Sequence, residues 1–191
     1  MVITLSMKQL VGWILIWFCG YCMPTGANGQ IVYTAAFTHL LDHAGLEYFT
    51  NTEEWLHVTI PQEDEYMDYH LVLENDRNDF EIRYHISDSS NTTSVTPATV
   101  EVARLVATIA TNDENSIIRI QIPPDALLQT VFNADRGIIA YFTPKADFSE
   151  KPHGAILSLY KDNRPDVFAV FLYYDPAYSP LTQFRNIRYR E

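Results

Sequence analysis

The sequence predicts an α+β fold: a single domain with a mostly antiparallel sheet of about six or seven strands and helices packed on it, close to an α/β/α sandwich. Three observations carry this expectation. Residues 155–160 and 167–174 are apolar runs joined by the polar turn Lys161-Asp162-Asn163-Arg164-Pro165-Asp166. Within the second run, 167–172 (VFAVFL) is apolar at every position, the pattern of a strand covered on both faces. The pair is therefore expected as a hairpin at the centre of the sheet. Finally, the order αβββαβαβββ, with hairpin-length connections at both ends, favours antiparallel pairing.

Each element has its own local reason. Thr34 is a helix cap, and Phe37, Leu40, Leu41 and Ala44 form an i, i+3, i+4, i+7 stripe before the stop signal Gly45, so a helix is expected over 35–44. A strand follows near 55–60, ended by Pro61 and the acidic loop Glu63-Asp64-Glu65. Second and third strands are expected over 66–73 and 80–86, joined by the polar residues 74–79. In the third, Phe80, Ile82, Tyr84 and Ile86 alternate with Glu81, Arg83 and His85, so one face is buried and the other is wet or lines a cleft.

The polar loop 87–94 contains Asn91-Thr92-Thr93, an N-glycosylation acceptor pattern. Thr96 and Pro97 then open a helix to about residue 110, with Val102, Leu105, Val106 and Ile109 as its apolar stripe. A strand at 117–122 is followed by a shorter helix from Pro123-Pro124 to about Phe132. Residues 133–137 turn the chain into a strand at 138–143. The central hairpin comes next, and Asp175-Pro176 ends the sheet.

Ahead of this domain, Lys8, the apolar run 10–18 and the small residues Gly26 and Ala27 follow the order of a secretory signal peptide. The run falls well short of the roughly 20 residues that span a bilayer. Cleavage is expected after Gly29, leaving residues 30–191 as the mature domain. Both cysteines, Cys19 and Cys22, would leave with the leader, so the exported domain is expected to be disulfide-free and without thiol chemistry. The compartment expected is the periplasm or the exterior.

The chain carries a formal charge of −11, and loss of Lys8 would make the remainder more acidic. Nucleic acid and anionic membrane surfaces are therefore unfavourable partners, and no membrane insertion is expected after cleavage. The tail is the exception. Arg185, Arg188 and Arg190 stand against Glu191 alone, which points to docking on the acidic body.

His39 and His43 are at i and i+4, and His39-Leu40-Leu41-Asp42-His43 resembles the H-x-x-E-H motif of inverted zinc proteases. Asp42 stands where that motif has Glu, no third ligand follows at a recognisable spacing, and both imidazoles fall off the apolar stripe. Surface histidines are the simpler reading. On the N-terminal meander, His57, His70 and His85, with Arg83 and nearby Glu74 and Glu81, share one face if the three strands are adjacent. Such a set would bind metal or a ligand, or act as acid and base. Tyr178 and Tyr189 are the tyrosines expected outside strands, where an aromatic face with a polar tip suits a binding surface.

The Asp/Asn-rich segments 76–79 and 162–166 use residues that turns use anyway. No G-x-S-x-G, phosphate-binding loop or dinucleotide fingerprint is present, and the chain has only 7 glycines from which to build one, so no cofactor is expected. The leading expectation is an exported, non-catalytic binding or interaction domain for a protein or small ligand. The alternatives are a metal-dependent hydrolase using His57, His70 and His85, and a structural accessory of the cell envelope.

Overall fold

A computed structural model describes residues 33–49, 56–59, 66–75, 79–87 and 98–191. The expected leader, its cysteines and Asn91 lie outside these residues. Thr34 caps helix α1 (Ala35–Ala44) by accepting a hydrogen bond from the Phe37 amide at 3.2 Å. Gly45 ends it at φ 63°, a left-handed conformation that glycine adopts without a Cβ penalty. The short strand β1 (Leu46–Tyr48) follows, then β2 (Leu56–Thr59), β3 (Leu71–Asn75) and β4 (Phe80–Ile86).

Helix α2 (Ala98–Ile109) leads to β5 (Arg119–Gln121). The short helix α3 (Asp125–Leu127) continues as a π-turn (Leu128–Phe132), ended by Asn133 at φ 48°. Strands β6 (Arg136–Phe142), β7 (His153–Tyr160) and β8 (Val167–Tyr173) complete the sheet. The chain closes with α4 (Pro180–Phe184) and β9 (Ile187–Tyr189).

Seven strands form one antiparallel sheet in the order β2-β3-β4-β8-β7-β6-β5, and β1 pairs with β9 in a second, two-stranded sheet. β8 is thus the middle strand, with β7 beside it. All seven of its residues are buried, Phe168 at 2 % and Leu172 at 0 % exposure. The continuous apolar run is explained by cover on both faces. One face packs Leu73, Ile82, Phe171 and Leu157 against Phe37 and Leu41 of α1, Phe132, Phe184 and the β1/β9 pair. The other packs Val170, Ile156 and Ala140 against Val102, Val106 and Ile109 of α2. Residues 31–191 form one compact unit, and the mixed α+β, helix-covered antiparallel sheet is the fold that the sequence predicts.

Three local expectations need correction. β3 begins at Leu71 rather than Tyr66, because Tyr66 and Tyr69 turn into the α2-side core before the pairing starts. The helix expected after Pro123-Pro124 is broken into one α turn and one π turn. The segment after Asp175 holds two elements, α4 and β9, that the sequence pattern did not reveal. The basic tail does dock on the body. Arg188 donates to Glu47 at 2.9 and 3.0 Å, Arg190 to Asp42 at 2.7 Å, and the Asn133 amide to the carbonyls of Tyr189 and Arg190.

Candidate functional site

Strands β2, β3 and β4 are neighbours, and their register fixes which of the candidate histidines can meet. His57 pairs with Glu74, Glu74 with Glu81, and Val72 with Arg83. Alternation puts positions 57, 70, 72, 74, 81, 83 and 85 on the same face. His70 and His85 come together, with rings stacked at 5.2 Å and 27° between planes. His85 Nδ1 lies 2.7 Å from the Asp68 carbonyl, so that nitrogen carries the proton and donates, leaving Nε2 for a ligand. The Ile86 amide donates to His70 Nδ1 at 3.1 Å, which puts the proton of the neutral His70 ring on Nε2. Burial, and then the neighbouring His85, hold His70 below the usual histidine range.

The two rings line a cleft of about 500 Å³ with Leu40, His43, Asp68 and Pro165. The backbone register sets position 57 apart from them. Its register partner Glu74 is four residues along β3 from His70, about 13 Å at the usual rise per residue. The His57 side chain lies outside the described residues. Among the described residues, no group of three or more His, Cys, Asp or Glu side chains is arranged to hold a metal ion.

Arg83 belongs to a different arrangement. Its Nε donates to Glu81, and its guanidinium lies 4.7 Å from the centre of the Phe148 ring and 5.3 Å from that of Tyr69. Lys151 Nζ lies 3.6 Å from the other Glu81 oxygen, and both Glu81 and Lys151 are 7 % exposed. Buried ions persist when their charge is matched and their hydrogen bonds are made, and here one carboxylate serves two cations. The cluster ties the connection between β6 and β7 onto β4. A groove of about 370 Å³, lined by Glu74, Glu81, Arg83, Lys151 and Tyr174, lies above it. Arg83 is therefore chiefly a clamp inside the protein.

Of the two tyrosines read as surface binders, Tyr189 belongs to the core. Tyr189 is 1 % exposed in β9, and its hydroxyl faces the carbonyls of Pro165 at 2.7 Å and Leu159 at 3.0 Å. The expectation that it lies outside strands is overturned by its pairing with Leu46, which turns the ring into the core. Tyr178 is half-buried, with its ring 5.3 Å from that of Phe80 and its hydroxyl 3.5 Å from Asp79. His39 and His43 are exposed, as the helical wheel requires.

None of the sequence-derived candidates lies on β5. This strand is the last of the seven and pairs only with β6 among the described residues. Ile120 pairs with Ala140 on the α2 side of the sheet, but α2 packs chiefly over β6 and β7 and leaves Ile120 more than half exposed. Ile117, Ile118, Ile120 and Ile122 are 83, 46, 57 and 71 % exposed. Arg119, over the ring of Tyr141 at 4.5 Å, is the one charged residue between Ser116 and Pro124. The sequence signal was present: isoleucine at every second position with one charge, just before a proline pair. No family model matches the chain, and neither a curated protein nor a solved structure matches it significantly.

Proposed function

We propose that this chain is an exported interaction domain, working by binding rather than by catalysis, that docks a partner by extending its sheet at β5. The observation that supports this most is the exposed isoleucine on a short edge strand with three more exposed isoleucines flanking it. An edge presents a row of backbone N–H and C=O groups ready to pair, and natural sheets guard it with short strands, charge, proline or a bulge. β5 has the shortness, one arginine and a following proline pair, yet leaves its isoleucines bare. Here those groups stand beside four isoleucines between 46 and 83 % exposed, whereas large apolar patches on soluble proteins mark contact sites. Strand addition uses both features at once, backbone pairing for affinity and side-chain fit for choice of partner. The leader pattern of residues 1–29 supports export, and the acidic charge supports a protein partner over nucleic acid.

A photo-crosslinking residue introduced at position 118, 120 or 122 in the producing cells tests this reading, with exposed position 129 as the control. Covalent adducts are expected from the edge positions and not from 129. Edge positions no more productive than 129 would overturn it.

A further inference from the structure

The pattern along β5 identifies the occupant. From 118 to 122 the chain reads Ile-Arg-Ile-Gln-Ile, the same polar and apolar order in both directions. We infer that the strand docking at β5 is the β5 of a second copy, paired antiparallel about a two-fold axis through Ile120. The inference rests on the reading of β5 as a docking edge and names what fills it.

In that register Ile120 faces its own symmetry mate, Ile118 faces Ile122, and Arg119 faces Gln121, the last two pairs each occurring twice. A guanidinium set against a carboxamide oxygen is a donor–acceptor match, and no like charges are opposed. An axis through Arg119 would instead set two guanidiniums against each other, which selects against the neighbouring register. Two copies of net charge −11 repel at long range, so the pairing depends on the local match along the edge. No acidic residue lies between Ser116 and Pro124, so the paired segments themselves set no carboxylates against each other; the nearest, Glu114 and Asp125, fall at the two ends.

The geometry also covers what α2 leaves bare. A two-fold axis normal to the sheet keeps each face on its own side. Ile120 of both copies therefore meets on the α2 side, and Ile118 and Ile122 join it if the strand continues through them. The outer N–H and C=O groups of β5 pair across the axis, and one continuous sheet runs through both copies.

Sedimentation equilibrium of the full chain and of the Ile120→Lys and Ile120→Glu variants, alone and mixed, tests the inference. Position 120 is 57 % exposed, so both variants should keep the wild-type fold by circular dichroism. The wild type should be a dimer. Each variant alone should be a monomer, with a dimer dissociation constant raised at least about tenfold by like charges on the axis. The equimolar mixture should recover the dimer, because lysine then faces glutamate. A wild type that remains monomeric at about 100 µM, a dimer indifferent to both variants, or a mixture that stays monomeric would each overturn the inference. A monomeric wild type that still crosslinks to another protein from positions 118–122 would overturn the second copy alone and leave the docking edge standing.

Discussion

Tyr189 carries more of the tail's attachment than the arginines beside it. Its hydroxyl is buried and shared between two backbone carbonyls that connect β7 with the turn before β8. Tyr189→Phe leaves both acceptors without that donor and should cost about 1–3 kcal/mol in urea unfolding. Asp166 supplies a pH signature. Burial, and next the carboxylate of Glu101, raise its pKa to about 6, against the opposing pull of Arg136. Between its ordinary value near 4 and about 6, the folded protein holds a proton that the unfolded chain releases. Stability contributed by that proton is present at acid pH and is lost as pH rises through this window. Asp166→Asn should raise the urea midpoint at pH 7 and remove this loss. His70, with its pKa lowered, slopes the other way, and its contribution is lost as pH falls below the usual histidine value. Unfolding midpoints measured from pH 4 to pH 8 would show both slopes; an unchanged profile for Asp166→Asn would contradict the first. At this scale the sequence identified residue types well and surroundings poorly. Tyr189 and Arg83 looked like surface chemistry because their partners, Pro165 and Phe148, are distant in the chain.

At the scale of elements, burial outweighs charge in the docking of β9. Arg188 pairs with Glu47 and Arg190 with Asp42, but these side chains are between 35 and 61 % exposed, so each pair should be worth about 0–1 kcal/mol. Ile187 and Tyr189 are 0 and 1 % exposed, and burying such a side chain is worth about 1.5–3 kcal/mol. Arg188→Ala should therefore shift the unfolding free energy by less than about 1 kcal/mol, and Ile187→Ala by about 2–5 kcal/mol. Equal effects in denaturant melts would refute the ranking. Gly154 in β7 is a second case of close packing. A Cβ there would lie 2.7 Å from the Phe142 ring, so Gly154→Ala should destabilise by about 1–3 kcal/mol through overpacking. Helix α1 was fully legible because cap, stripe and stop agree locally, from Thr34 to Gly45. β1 and β9 were not, because three residues are too few to show a period. Only the arginines of the tail betrayed that it returns to the body.

For the whole molecule, the unbroken apolar run of β8 announced its central position, since only cover on both faces makes such a run soluble. The same logic failed at β5. Alternation of Ile118, Ile120 and Ile122 with polar residues is what a half-buried strand shows, and it led to the expectation of an ordinary strand. Whether the apolar side is covered depends on how far α2 reaches across the sheet, which no local pattern encodes. That mismatch between a core-like sequence and an exposed position is the basis for assigning β5 to a contact. The most direct measurement is amide hydrogen exchange over residues 117–122, compared between the native assembly and Ile120→Lys. Docking at β5 predicts slow exchange there in the assembly and fast exchange in the variant, with β7 and β8 equally slow in both. Fast exchange at 117–122 in both proteins would contradict it.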